Sequence, residues 1–228
     1  MIDKLVQQSI YVSLCIQIIT TLISLDGFTM KLNKQDAILH EILGIETFVQ
    51  FVEGFFYVWI MFALNDLNKM TPRRYIDWTI TTPIMLLSTI IFFEYNKRKE
   101  LNEEPFTVKE FYETNKTNIY KIFVYNALML VCGFLSETGY IDKYIGVPLG
   151  FVFFYLSFNL IYTEYGYKTE ENKILFSVLV TLWALYGFSA MLPLKPKNIS
   201  YNMLDIVAKN FYGLFIYYKI RELRINRK

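Results

Sequence analysis

Four ionisable side chains fall within apolar stretches at spacings that could do chemistry: Arg74, Asp77, Asp205 and Lys209. Asp205 and Lys209 are four residues apart, which on a helix puts them on one face, about 6 Å apart along the axis. Arg74 and Asp77 are three apart, and Thr81 continues their face. If the two segments meet, two cations face two anions and the group is neutral. Charge in hydrocarbon is expensive, so each of these residues has to be held for a reason. One reason is structural, an ion-pair network that stitches helices together. The other is chemical. Lys209 lies among aromatic residues, a setting that suits its amine to imine formation, and a protonated imine needs the counter-charge that two carboxylates supply.

Positioning these residues takes helices, and composition shows where they lie. The 228 residues are 54% hydrophobic and 18% aromatic, with only 19% charged. A soluble domain is usually about a quarter charged. About 20 consecutive apolar residues cross a bilayer as a helix. Stretches 6–25, 38–64, 74–95, 119–136, 143–163, 173–193 and 199–219 qualify, and together they occupy most of the chain. The expectation is a single all-α domain over 1–228, a seven-helix bundle integral to a membrane and crossing it repeatedly. Sheet is not expected there, because backbone groups in hydrocarbon must be satisfied within each helix. The first stretch is too long for a cleavable signal and no small-residue cleavage site follows it. Cys15 and Cys132 fall inside spans and read as apolar fillers, not a disulfide. One histidine and no dense carboxylate cluster argue against a structural metal site.

The net charge of +2 says little, but its distribution orients the bundle. Most Lys and Arg in the links and at span ends fall on one side: Lys31, Lys34, Lys97 to Lys99, Lys109, Lys116, Lys121, Lys168, Lys173 and the tail from Lys219 to Arg227 and Lys228. Short positive links stay inside, which places the N-terminus outside and the C-terminus in the cytoplasm. The basic tail suits an anionic inner leaflet, not nucleic acid. The link 95–118, of mixed charge, reads as a solvated cytoplasmic loop with at most a surface turn of helix.

Three segments carry a family resemblance. Arg74-Tyr75-Ile76-Asp77-Trp78-Thr79-Ile80-Thr81-Thr82-Pro83 resembles the third-helix motif of microbial rhodopsins. Asp205-Ile206-Val207-Ala208-Lys209 resembles their retinal-attachment motif, and Trp183-Ala184-Leu185-Tyr186 their aromatic clamp on the sixth helix. The resemblance covers essentially the whole chain. It implies all-trans retinal bound to Lys209 as a protonated Schiff base, Asp77 as primary counter-ion and proton acceptor, and Asp205 as second counter-ion. Arg74 would gate the outer side. The polyene would lie between Trp78 and Trp183, with Thr82, Met129, Gly133 and Tyr186 lining its pocket. An apolar Met85 near the polyene goes with green absorption in the family.

The chain departs from outward proton pumps of that family. Eleven residues after Asp77, where a pump carries a carboxylic donor, stands Ser88. The segment 199–204 lacks the glutamates of a release group, and Gly187 replaces a proline common in the sixth helix. Glu46, Gln50, Glu53 and Tyr57 meanwhile form one stripe on the second span, and Ser9, Ser13, Gln17, Thr20 and Ser24 another on the first. Serine and threonine in such helices more often bond across helices, whereas rows of carboxylates select for cations. Ser13, Glu46 and Asn210 together are similar to virus-encoded rhodopsins of the first group, which implies light-gated conduction of monovalent cations along Arg74, Ser13, Glu46, Gln50, Glu53 and Asn210. If the chain is viral, a host-cell membrane is its place. The alternatives are a light-driven outward proton pump, with Glu46 or Glu53 in place of the donor, and a sensor docking a membrane partner through 95–118 or the tail. The family commonly assembles into homo-oligomers. His40 and Glu41, near the inner mouth, read as surface residues before any pH-sensitive role.

Overall fold

The second span states the packing rule in its own residues. Glu46, Gln50 and Glu53 are fully buried, whereas Phe51 and Phe55 on the opposite face are 70% and 69% exposed. Apolar residues point outward and polar ones inward, the arrangement a helix adopts when lipid covers its outer face. A computed structural model describes residues 4–62 and 67–225. Among them the chain is mostly helical, without a strand: α1 (Lys4–Gly27), α2 (Ile38–Met61), α3 (Met70–Glu100), α4 (Val108–Glu137), α5 (Lys143–Ile161), α6 (Glu170–Ala190), α7 (Leu194–Asp205) and α8 (Phe211–Ile225). A π turn, Ile206–Asn210, joins α7 to α8, so these make one seventh helical run. Among the described residues, six helices are long and apolar enough to cross a membrane. The seventh run carries the polar residues of the site.

The boundaries differ from the expected ones where charge hides a helix. The stretch 95–118 is mostly helical: α3 runs to Glu100 and α4 starts at Val108. Mixed charge is compatible with helix when the charges pair along it. Glu94 pairs with Lys97 and Arg98, and Lys116 with Glu113. A capping box of Thr107 and Glu110 then starts α4, satisfying two otherwise orphaned N–H groups. Glu41 of α2 accepts from the Val108 N–H at 3.1 Å. The seventh run likewise begins at Leu194, five residues before the apolar stretch. Residues 63 and 64 of the expected second span, and Arg227 and Lys228 of the basic tail, lie outside the described residues.

Seven helical runs among the described residues carry the chain from an N-terminal end of the bundle to the opposite, C-terminal end. At the C-terminal end the α1–α2 link is tied down by Asp36, which accepts from the Tyr95 hydroxyl at 2.6 Å and Lys99 Nζ at 2.8 Å. An apolar layer that includes Leu39, Leu43, Ile90, Ile216 and Ile220 fills the bundle there. His40 sits half buried near Phe28, its Nε2 without a hydrogen-bond partner. Both cysteines are free, Cys15 facing outward and Cys132 inward.

Candidate functional site

Lys209 ends up 2% exposed in the π turn. A π turn fits an extra residue into a helix and is frequent at functional sites. Here it joins the Asp205 and Lys209 segments without breaking the run. Lys209 Nζ donates to Asp77 Oδ2 at 2.7 Å and lies 3.6 Å from Asp205 Oδ1. Glu53 Oε1 stands 3.5 Å from the same nitrogen. The expected neutral group of two cations and two anions is therefore corrected: three carboxylates face Arg74 and Lys209. Spacing alone puts Glu53 in the stripe on the second span and not in this cluster. Antiparallel counting could have found it, since Glu53 and Asp77 lie at nearly equal depth either side of the link between α2 and α3.

The three carboxylates are held differently. Asp205 accepts from Arg74 Nη1 at 3.0 Å, from the Tyr57 hydroxyl at 2.8 Å and from the Tyr186 hydroxyl at 2.9 Å. Asp77 Oδ1 and both oxygens of Glu53 have no hydrogen-bond partner. Arg74 also donates to Asn202 Oδ1, and Asn202 donates to Ser9 Oγ at 2.7 Å. Asp205 and Arg74 thus form a fixed pair, whereas Asp77 and Glu53 retain free lone pairs.

Beside Lys209 lies an apolar cavity whose walls include Trp78, Thr82, Met129, Gly133, Trp183 and Tyr186. Met85 and Gly187 line it too. Trp78 is braced edge-on by Tyr75, Tyr186 and Tyr201, with centroids 5.0, 5.6 and 5.0 Å away. Trp183 packs against Phe158 at 5.4 Å. A Cβ on Gly187 would come within 2.5 Å of the Phe151 ring, so glycine lets α5 and α6 close the slot here without displacing that ring. Asn126, not singled out from the sequence, donates to Thr82 Oγ1 at 2.8 Å and fastens α4 to α3 at the cavity wall. A long, flat, apolar group attached to Lys209 fits these walls, with its polar end among the carboxylates.

A polar seam leaves the cluster toward the C-terminal end. Gln17 Nε2 donates to the Gln50 carbonyl at 2.6 Å, and Thr20 Oγ1 to Asn210 Oδ1 at 2.7 Å. Ser24 donates to Gln50 Oε1 at 3.3 Å. Ser88 donates to Glu46, so the serine at the expected donor position and the α2 carboxylate meet. Gln17 Oε1, Gln50 Nε2, Glu46 Oε2 and the Tyr212 hydroxyl are buried without partners along this seam. A Cβ on Gly213 would collide with the Gln50 side chain, so that glycine makes room for the seam. Ser13 is set apart. It donates to the Asn202 carbonyl at 3.1 Å, on the Arg74 side.

The sequence profile described as bacteriorhodopsin-like protein matches residues 8–223. Comparison with curated proteins finds no match. Among solved structures, the crystal structure of viral rhodopsin OLPVRII is similar at 28% identity and a TM-score of 0.83, over 96% of this chain and 99% of that one. Blue light-absorbing proteorhodopsin from Med12 shares the fold at 17% identity, TM-score 0.73, over 96% and 98%. Bromide-bound halorhodopsin from Halobacterium salinarum shares it at 15% identity, TM-score 0.71, over 98% and 95%.

Proposed function

The chain belongs to the bacteriorhodopsin-like family, as an integral, multi-pass membrane protein, and within it we propose a light-gated channel for monovalent cations. Lys209 is the residue to hold all-trans retinal. Its amine would hold the aldehyde end as an imine, water being lost, and the apolar cavity between Trp78 and Trp183 would take the chain. Retinal supplies absorption in the visible and a change of shape on excitation. The protein supplies the rest. Asp77, at 2.7 Å, holds the proton of the Lys209 nitrogen and is placed to accept it, having a free oxygen. Asp205 serves as the fixed counter-ion, held in place by two tyrosine hydroxyls and Arg74.

The observation that carries the channel reading is the seam of unpartnered buried polar atoms from Glu53 through Gln50 and Gln17 to Glu46 and Tyr212. Buried polar groups are ordinarily hydrogen-bonded, so orphans in a row mark a path for water or ions. Two carboxylates on that row favour cations over anions. Beyond Glu46, the layer containing Leu43 and Ile216 closes the path, and light has to open it. The bias of basic links puts the N-terminal end outside. Conduction is then read from Arg74 inward through Glu53, Gln50, Glu46 and the neighbouring Asn210, with Ser13 bracing the outer part.

A second reading rests on one contact. Ser88 donates to Glu46, so a carboxylate does occupy the space a pump's donor would fill. An outward proton pump would use it to return a proton to Lys209. Voltage clamp of cells supplied with retinal separates the two. A photocurrent that changes sign with membrane potential is expected, whereas one that stays outward at every potential would sink the channel.

A further inference from the structure

Lys197 lies two helical turns from Asp205 on the buried face of α7. Its ammonium donates to both oxygens of Glu137, at 2.8 and 2.7 Å, and the two side chains are only 11% and 10% exposed. Glu137 ends α4, so the pair reaches across the bundle between helices that are not consecutive. The α7 face that carries Lys197 also carries Asn198, Tyr201, Asn202 and Asp205. Thr71 of α3 approaches Asn198 at 3.5 Å, and Asn202 holds Arg74. Polar groups thus continue from the Lys209 cluster to the level of Lys197, about 12 Å along the helix from Asp205.

A cation entering along this face meets Lys197 before Arg74. Arg74 is already paired with Asp205. An unpaired ammonium in such poorly hydrated surroundings would repel an incoming cation far more strongly than in water. Glu137 cancels it. We propose that Glu137 determines specificity at the outer mouth: by neutralising Lys197 it admits cations, and the pair sets the preference of the route for cations over anions. This rests on the channel reading.

The competing role is a mechanical brace between α4 and α7, and the order of charge effects separates the two. Glu137→Gln, Lys197→Gln and the double variant are compared by voltage clamp in a sodium chloride gradient. Currents are normalised to visible absorbance of the retinal-loaded pigment. Glu137→Gln is expected to cut inward current about threefold or more and move the reversal potential toward that of chloride. Lys197→Gln should not reduce the current. The double variant should return to within about twofold of wild type. A brace predicts that all three fall alike without recovery in the double variant, and that result overturns the proposal. If Glu137→Gln forms no pigment, Glu137→Asp, which keeps the charge, and the double variant carry the comparison. Both should then conduct like wild type, and a loss in both overturns the proposal. A wild-type current that never reverses overturns the channel reading and this inference together. A reversing wild-type current without the charge order overturns this inference alone.

Discussion

Asp77, Glu53 and Asp205 surround one ammonium, yet their surroundings give them different work. Asp205 takes hydrogen bonds from three side chains besides facing Lys209, so an amide in its place weakens three hydrogen bonds at once, while Arg74 and Tyr57 keep only Asn202. Leaving buried partners unsatisfied costs about 1–3 kcal/mol each. Asp205→Asn should therefore lower the thermal stability of the pigment more than Asp77→Asn, measured as the temperature of half-bleaching; equal losses would contradict the ranking. Glu53 has no such partners and stands 3.5 Å from Lys209 Nζ. A negative charge beside a protonated imine stabilises the resting cation, whose charge moves away on excitation. Glu53→Gln is expected to shift absorption to longer wavelength, by less than Asp77→Asn, whose carboxylate is closer. An unshifted Glu53→Gln spectrum beside a shifted Asp77→Asn spectrum would remove Glu53 from the counter-ion group.

At the scale of elements, the close approach at Gly187 makes a further prediction. Gly187→Ala puts a methyl within 2.5 Å of the Phe151 ring, and overpacking of this kind costs about 1–3 kcal/mol. The pigment should bleach faster in the dark at a fixed temperature; an unchanged rate would mean that α5 and α6 part without cost. Much of the architecture was legible in the sequence, because lipid demands long apolar helices and tolerates few charges within them. The seven stretches follow from that demand, and the facing of Asp77 and Lys209 from the family resemblance of the segments that carry them. What stayed hidden depended on distances between helices. Apolar runs could not show the helical extensions at 96–100 and 108–118, which are held by ion pairs and a capping box. Nor could spacing within α2 show that Glu53 points at Lys209, or spacing within the seventh run that Glu137 from α4 reaches Lys197. Lys197 and Glu137 are 60 residues apart, and no periodicity connects them.

The whole molecule combines a tightly partnered half with a loosely partnered one. Toward the N-terminal end, Arg74, Asn202, Asp205 and Tyr57 are joined by several hydrogen bonds, with Arg74 Nε left without a partner. Toward the C-terminal end, Glu53, Gln50, Glu46 and Tyr212 keep unpartnered atoms between the cluster and the apolar layer. A change of shape at Lys209 that separates Asp77 from Glu53 would act on the loose half first, because fewer bonds resist it there. A channel of this construction draws its current from whatever cations the bath supplies, while a pump draws it from protons alone. Replacing bath sodium and potassium by a bulky organic cation at fixed pH should therefore abolish most inward photocurrent and shift its reversal potential to negative values. The Glu46→Gln variant adds the location. If Glu46 lines the route, the variant still passes a reversing current but with altered relative permeability among alkali cations. If Glu46 instead returns protons to Lys209, the current ignores the bath cation, and Glu46→Gln slows recovery of the dark pigment after a flash by about tenfold or more. Flash absorption and bath exchange on the same cells would show which side of that division the molecule occupies.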